Sequence, residues 1–422
     1  MDPEGRMETN MPVGCASGDL PARVSGRFAT AAGMIALVSV PIVADSFLSV
    51  FAPMVALHFR LDKASLGLLL SSGAWGGLGG AALFLLFLRR TPDMRIFRVC
   101  IGIAGICSMM AALAPRPFYL MAAVAGACGG FVVADIAAST LLPSLISGSP
   151  RRVLSAKYAC YSLVVIAAPF AGGLLTAWSA RLGDAGPMNV LRCVYFVTGT
   201  AMLAGCFLFG RRTVFAARPA GAPATQHWTL CLVPAILAAL HGGTDSAMAR
   251  WAPTFYGESF AHALFPPGWV LSGYALAYFL GRTLLSILPE ARAERLLLIA
   301  PGLGGGCLLM AALVCRSFGA SAGFYVGASL LYGLEFPVLI GRVGRHMPAH
   351  LGRTIALGSL GTYGLYGGLS ILIGEVAQAT GDLRTALLIC PFGFIAFSVL
   401  AAAWTKSTVC DPSSIKRNST VV

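Results

Sequence analysis

Charged residues are scarce in this sequence: they make up 11% of its 422 residues, whereas 57% of the residues are hydrophobic. A soluble domain needs a polar surface, and a mean hydropathy of +0.78 leaves too little of one. The composition therefore excludes a soluble globular protein and predicts an integral membrane protein whose outer surface contacts lipid.

The sequence also lacks the residue clusters that metal sites and catalytic sites require. The twelve cysteines form no CxxC pair and no spacing typical of metal ligands, so we interpret them as free thiols that pack as small apolar residues. His241-x-x-x-Asp245 and His346-x-x-x-His350 come closest to a cluster, and neither has a third partner. We therefore expect no metal, no cofactor and no enzymatic activity.

Long apolar segments dominate what is present. Twelve segments are each about 20 residues or longer, which is enough for an α-helix to cross ~30 Å of hydrocarbon. The N-terminus lacks the basic region and the small-residue cleavage site of a secretory signal, so we expect the first segment to be retained. The predicted spans are 29–58, 65–88, 96–115, 118–145, 158–179, 190–210, 229–256, 267–288, 296–315, 320–341, 354–377 and 385–404.

Lysine and arginine residues are distributed unevenly between the loops. One set of alternate loops, together with both tails, holds 21 of the 30, the opposite loops hold seven, and Arg250 and Arg282 lie within spans. Cytoplasmic loops of membrane proteins carry the excess of basic residues, so both termini are predicted to be cytoplasmic. This distribution accounts for the net charge of +13 without nucleic acid as a partner.

Four acidic residues lie within the apolar spans and repeat with a common spacing. Asp45 and Asp135 are 90 residues apart, as are Asp245 and Glu335, and 200 residues separate the two pairs. A charge at bilayer depth costs roughly 2.5–3.5 kcal/mol on insertion scales, so such residues normally face the interior of a helix bundle. The spacing therefore predicts two related halves around a polar central pathway.

The same offset of 200 residues overlays Phe51-Ala52-Pro53 on Trp251-Ala252-Pro253. The Ala-, Pro- and Arg-rich stretch between the sixth and seventh spans is interpreted as a linker between the halves. The predicted organisation is a cytoplasmic tail over 1–28, a six-helix half over 29–210, a cytoplasmic linker over 211–228, a second six-helix half over 229–404 and a cytoplasmic tail over 405–422.

This organisation resembles the major facilitator superfamily of transporters, in which each six-helix half is a pair of three-helix units. In that arrangement the first helix of each unit lines the central cavity, and here those four helices carry the four acids. The segment 168–173, APFAGG, also resembles the GPxxGG core of the superfamily's antiporter motif, with Ala in place of the first Gly. The resemblance implies an all-α membrane protein with twelve transmembrane helices and the major facilitator fold.

Within the superfamily, three features resemble the fucose-permease-type sugar/proton symporters. They are the acids Asp45 and Asp135, the pair Gly281-Arg282 on the eighth span, and the segment 333–337, GLEFP, on the tenth. The resemblance implies that Asp45 and Asp135 are the two acids of that group. Asp245 and Glu335 are additional and could instead favour a cationic solute.

A buried carboxyl that takes up a proton on one side of the membrane and releases it on the other meets the physical requirement for proton coupling. We predict that Asp45 and Asp135 are the first candidates for this role, with Asp245 and His241 next; His241 precedes Asp245 by one helical turn. The alternative is that each acid is a fixed member of an ion pair. The predicted proton-coupling or solute-binding residues are Asp45, Asp135, Asp245, Glu335 and His241.

Arg250 and Arg282 are predicted to form ion pairs or gates. Arg282 and Glu335 lie at similar depth in their spans, which permits a salt bridge between them, whereas Arg250 is expected to pair across a helix interface or at an outer gate. Aromatic residues on the candidate cavity helices suit sugar rings or flat organic cations, or else fill lipid interfaces. The aromatic candidates for cavity lining are Trp75, Trp251, Tyr274, Tyr278, Tyr332, Tyr363 and Tyr366.

We therefore predict a proton-coupled secondary transporter, a multi-pass protein of the plasma (inner) membrane, that moves a small polar organic solute such as a sugar by alternating access. Its expected partners are the solute, protons and lipid, and we expect a monomer. Two alternatives are a proton-driven efflux antiporter for drugs or organic cations, and a non-transporting assembly factor or receptor on a transporter scaffold.

The orientation can be tested by labelling single cysteines with a membrane-impermeant reagent in a cysteine-free variant. A cysteine at position 151 or 211 should react only from the cytoplasmic side, because these positions lie in the basic loops. Cysteines at positions 60 and 316, in the opposite loops, serve as the matched controls and should react only from outside. Labelling of position 151 or 211 from outside would contradict the topology.

Overall fold

The computed structural model describes residues 19–87, 94–146, 150–183, 185–209, 228–260, 265–287, 294–347 and 350–407. Within these ranges the chain is helical and contains no β-strand. Most of the predicted linker, over 211–227, lies outside the described residues, as do 1–18 and 408–422 of the predicted tails.

The described chain contains twelve long helices, the last of them in two pieces. In chain order the helices are α1 (Asp19–Phe59), α2 (Lys63–Phe87), α3 (Met94–Ala112), α4 (Pro117–Leu145), α5 (Pro150–Ser179), α6 (Gly186–Phe209), α7 (Trp228–Ser259), α8 (Pro267–Ile287), α9 (Glu294–Val314), α10 (Phe318–His346), α11 (Leu351–Thr380), α12 (Leu383–Leu387) and α13 (Ile389–Ser407).

Eleven of the described helical segments are long and apolar enough to cross a membrane, with α12 and α13 together forming one of them. The twelfth long helix is α8, whose 21 residues include Tyr274, Tyr278 and Arg282 and are therefore less apolar. The predicted all-α architecture with twelve spans is confirmed.

The chain reverses sharply between α11 and α12 for local reasons. Gly381 has a φ of 70°, which a residue with a side chain rarely adopts, and its N–H donates to the carbonyl of Ala377. Asp382 then caps α12 by accepting hydrogen bonds from the N–H groups of Arg384 and Thr385. The hydroxyl of Thr385 together with these N–H groups holds the pKa of Asp382 below its ordinary value.

Helices α5 and α10 are among those that extend further than the sequence predicted, and Lys157 and Arg342, which were assigned to loops, are therefore buried in the bundle. Helix α5 begins at Pro150, not at residue 158, so Lys157 is a helical residue with no exposed side-chain surface. Helix α10 continues to His346 and includes Arg342 and Arg345. The prediction ended both spans at their basic residues, whereas acidic partners allow these cations to remain within the helices.

Glycine allows the helices of each half to approach closely. A Cβ placed on Gly76 of α2 would lie 1.8 Å from the carbonyl oxygen of Ala125 on α4. In the second half, a Cβ on Gly333 of α10 would lie 2.5 Å from the carbonyl oxygen of Tyr278 on α8. Corresponding helices of the two halves are therefore held at backbone contact distance by the same device.

The close contact of α2 with α4 predicts a large difference between two glycine positions on one helix. Gly76→Ala should lower the stability by about 1–3 kcal/mol, because the added methyl group must push the helices apart. At Gly79 an added Cβ meets no heavy atom of the described residues within 4 Å, so Gly79→Ala should leave the stability unchanged or slightly raised. Thermal unfolding in detergent measures both, and equal effects would show that this contact does not limit stability.

Candidate functional site

A cavity of about 380 Å³ lies between the two halves. Helices α1, α4, α7 and α10 all contribute side chains to its lining, together with α5, α8 and α11. Three of the four predicted acids, Asp45, Asp135 and Asp245, line it, as do His241 and both predicted arginines, Arg250 and Arg282.

Asp45 on α1 forms an ion pair with Arg250 on α7, across the interface between the halves. Arg250 also donates to the carbonyl oxygen of Asp45 at 3.0 Å and to the hydroxyl of Ser49 at 3.2 Å. Its guanidinium lies 5.7 Å from the ring centre of Tyr366 on α11. Arg250 thus joins three helices of the two halves at one point of the cavity wall.

Asp135 on α4 forms an ion pair with Lys157 on α5, with 2.6 Å between Oδ1 and Nζ. Lys157 also donates to the hydroxyl of Ser139 at 2.6 Å. The lysine side chain is fully buried, whereas a quarter of the Asp135 side chain is exposed to the cavity. This pair lies within the first half and joins α4 to α5.

Asp245 on α7 accepts a hydrogen bond from the hydroxyl of Tyr274 on α8. Among the described residues, no cation forms an ion pair with Asp245. The Tyr274 ring stacks on that of Tyr325, with 4.4 Å between ring centres, which fixes the position of its hydroxyl. Asp245 therefore differs from Asp45 and Asp135 in having a neutral partner.

His241 connects Arg282 to Glu335 through a chain of polar groups. Arg282 donates to the hydroxyl of Tyr278 at 3.2 Å, and that hydroxyl lies 2.9 Å from Nε2 of His241. Nδ1 of His241 lies 2.6 Å from Oε2 of Glu335. The predicted link between Arg282 and Glu335 thus exists through two intervening side chains and not as a direct salt bridge.

Glu335 does not line the cavity, contrary to the expectation that all four acids face it. Its side chain is fully buried, and Oε1 lies against α9, where a Cβ on Gly302 would be 2.8 Å from it. The absence of a side chain at Gly302 makes room for this carboxyl between α9 and α10. His241, which precedes Asp245 by one helical turn, contacts Glu335 and lines the cavity.

The aromatic candidates divide into two groups. Tyr274, Tyr278, Tyr363 and Tyr366 line the cavity, as do Tyr158 and Tyr161 on α5, which the sequence analysis did not select. Trp75 is 46% exposed on the outside of the bundle, whereas Trp251 and Tyr332 are buried among apolar side chains and Tyr332 stacks on Phe394. These last three residues do not line the cavity.

Lys157 was missed because the fifth span was predicted to begin one residue later, at 158. Tyr158 and Tyr161 lie within that span, but no aromatic residue of this helix was among the cavity candidates. A lysine that directly precedes an apolar run can belong to a loop or to the helix, and spacing alone does not distinguish the two. The signal available was the sequence of residues 157–161, KYACY, in which Tyr158 and Tyr161 share one face of a helix with period 3.6.

The halves interlock at the end of the bundle that carries residues 60–62, 183 and 381–382. We call it the outer end after the predicted orientation. There the ammonium group of Lys63 forms an ion pair with Glu258, and the backbone N–H of Lys63 donates to Gln378 Oε1 at 3.1 Å. A Cβ on Gly67 of α2 would lie 2.8 Å from the carbonyl oxygen of Ser370 on α11. These contacts close the cavity toward the outer end.

The segment 168–173 takes part in this closure. Gly172 packs against Val50 of α1, and a Cβ on Gly173 would lie 2.9 Å from the indole of Trp269 on α8. A Cβ on Gly268 would lie 2.6 Å from the carbonyl oxygen of Pro169. The proline and glycines of this segment therefore form a close contact between α5 and α8, at the boundary of the two halves.

No family model and no curated protein matches the sequence. Solved structures do resemble the fold. A bacterial homologue of the human lysosomal transporter Spinster, in an inward-facing and occupied conformation, aligns over 89% of this chain and 95% of its own, with 15% identity and a TM-score of 0.66. The D-xylose-proton symporter aligns over 89% and 96%, with 12% identity and a TM-score of 0.67.

The major facilitator superfamily transporter FucP, in its outward conformation, aligns over 89% of this chain and 98% of its own, with 16% identity and a TM-score of 0.61. The chain has the major facilitator fold. The predicted fold class is thereby confirmed, and at these identities the likeness concerns the fold alone.

A double-mutant cycle tests the buried pair of Asp135 and Lys157. Lys157→Met should destabilise the protein by about 3 kcal/mol, because it leaves a carboxylate without its cation, and the added substitution Asp135→Asn should recover much of that loss. Chemical unfolding in detergent measures the free energies. The exposed pair Lys63–Glu258, changed to Met and Gln in the same way, is the control and should cost about 0–1 kcal/mol. Equal stability of the single and double variants would show that the pair is not coupled.

Proposed function

We propose that the protein is a proton-coupled secondary transporter that moves a small polar organic solute across the plasma (inner) membrane by alternating access. The observation that carries the proposal is the charged cavity between the halves, closed toward the outer end. A cavity at the interface of two helical repeats, near mid-membrane, is where secondary transporters place their solute. With both termini in the cytoplasm, this arrangement would be an inward-facing state.

Alternating access requires the outer contacts to open while the solute remains bound. Lys63 and Glu258 are 31% and 46% exposed, and an exposed ion pair contributes only about 0–1 kcal/mol. The glycine contacts of the segment 168–173 with α8 allow sliding without the loss of interlocked side chains. The closure at the outer end thus consists of contacts that can separate at modest cost.

Charge balance favours Asp245 over Asp45 and Asp135 as the proton carrier. Protonation of Asp45 or Asp135 would leave Arg250 or Lys157 as a cation without its partner in a low-dielectric interior. Asp245 has the hydroxyl of Tyr274 as its partner, and a hydroxyl can donate to a carboxylate or accept from a carboxylic acid. Asp245 can therefore change its charge without disrupting an ion pair.

Each alternative function has one observation in its favour. An efflux antiporter for organic cations would use Asp245 and the neighbouring tyrosines of α8 as a cation site. A non-transporting receptor or assembly factor would keep Asp45–Arg250 and Asp135–Lys157 as permanent structural pairs. Accumulation of a solute in vesicles under an imposed proton gradient excludes the second alternative, and the direction of the coupled flux distinguishes the first.

Proteoliposomes containing the full-length protein test the proposal, with a radiolabelled solute selected by a thermal-shift screen of sugars, organic acids, amino acids and organic cations. A pH gradient should drive accumulation of that solute. Asp245→Asn should abolish accumulation while sparing exchange of labelled for unlabelled solute, because exchange needs no net movement of protons.

The matched control is Glu375→Gln, which changes an exposed carboxyl on α11 and should leave accumulation intact. Asp45→Asn should impair exchange as well as accumulation, because it leaves Arg250 unpaired between the halves. If Asp245→Asn still concentrates the solute while Asp45→Asn loses accumulation alone, Asp45 is the proton carrier and the assignment to Asp245 is wrong.

A further inference from the structure

Arg282 presents a charge in the cavity that no side chain of the described residues neutralises by an ion pair. Its guanidinium lies 4.4 Å from the ring centre of Tyr278 and 5.6 Å from that of Tyr158. The hydroxyl of Tyr278 accepts one hydrogen bond from Nη2, whereas the buried Nε has no acceptor among the described residues. A guanidinium carries five N–H donors, so most of its hydrogen-bonding capacity is unused.

Three carboxyls of the surrounding helices have partners other than Arg282. Asp135 pairs with Lys157, Asp245 accepts from Tyr274, and Glu335 lies behind His241. Among the described residues, none of the three forms an ion pair with Arg282. A guanidinium stays protonated in proteins, so a proton change cannot remove its charge as it can remove that of a carboxyl.

A buried cation is stable in a membrane interior when an anion contacts it. We propose that this anion is the carboxylate of the transported solute, and that the solute class is therefore small organic acids and not neutral sugars or organic cations. The inference rests on the proposed function, because Arg282 lies in the same cavity. The two tyrosine rings hold the guanidinium in place, which suits bidentate recognition of a carboxylate.

The surrounding charges favour a singly charged anion. Asp45 and Asp135 are offset by Arg250 and Lys157, whereas Asp245 lines the same cavity with the hydroxyl of Tyr274 as its partner. Asp245 would therefore repel a phosphate dianion more strongly than a carboxylate. The volume of about 380 Å³ lies within the range of sites that hold small organic molecules. A compact acid with a polar body satisfies both conditions.

Binding of matched probe pairs to the purified full-length protein in detergent tests the proposal without requiring transport. The probes are D-glucuronate against D-glucose, benzoate against benzamide, and methyl phosphate as the dianion, each titrated in a thermal-shift assay. At least one carboxylate should bind at least about tenfold more tightly than its neutral counterpart.

Three variants locate the effect. Arg282→Gln should remove the preference for the carboxylate, and Arg282→Lys should keep part of it, because lysine retains the charge but not the planar fork. Arg316→Gln, which changes an exposed arginine at the outer end, is the matched control and should retain the full preference. If a variant fails to fold, the preference for carboxylates can still be tested by comparing the probes on the unmodified protein.

Several results would overturn the proposal. They are equal binding of both members of each pair, tighter binding of methyl phosphate, absence of binding by either carboxylate, and a carboxylate preference that Arg282→Gln leaves unchanged. The last result would assign Arg282 to a gate between states. If carboxylates bind in an Arg282-dependent way but are not taken up into proteoliposomes, this inference is supported and the proposed transport is contradicted. If a neutral solute is taken up, the proposed transport is supported and this inference is contradicted.

Discussion

The structure depends on the requirement that every charge inside a low-dielectric bundle has a partner. Arg250 meets this requirement for Asp45 by crossing from one half to the other, and Lys157 meets it for Asp135 within the first half. These partners fix the relative positions of α1 with α7 and of α4 with α5. Within the described part of the chain, Asp245 and Arg282 have no ionic partner, which is why they are the proposed sites for a proton and a charged solute.

Close backbone packing makes the polar interior possible. Where glycine lets helices touch, as at Gly76 and Gly333, each half becomes a compact body with few degrees of freedom. In the proposed alternating access, two such bodies, joined by the ion pairs Asp45–Arg250 and Lys63–Glu258 and by small-residue contacts, would tilt against each other. The close helix–helix contacts within each half therefore suit the proposed alternating access.

The fold could be predicted from the sequence because each helix that crosses lipid must be apolar and about 20 residues long, and both properties can be read along the chain. The four acids could be found because charge is conspicuous in apolar segments. The ion-pair partners of these acids could not be predicted, because pairing depends on the orientation of each helix about its own axis. Lys157 was placed in a loop because a basic residue at the edge of a span can belong either to the loop or to the helix. Glu335 was expected in the cavity because the sequence repeat suggested that the two halves are symmetric. Gly302 breaks that symmetry, since its lack of a side chain makes room for the carboxyl next to α9.

That broken symmetry separates the roles of the two halves. The first-half acids both have cationic partners, whereas the second-half acids, Asp245 and Glu335, contact a tyrosine and a histidine. The titratable groups Asp245, His241 and Glu335 and the guanidinium of Arg282 thus lie together on α7, α8 and α10. In the first half both acids are held in ion pairs, Asp45 with Arg250 and Asp135 with Lys157. Arg250 lies on α7, the helix that also carries Asp245, and it therefore links the first half to that helix. In the proposed alternating access, movement of one half against the other would change the surroundings of the second-half groups, and their charge state would in turn bias which end of the cavity is open.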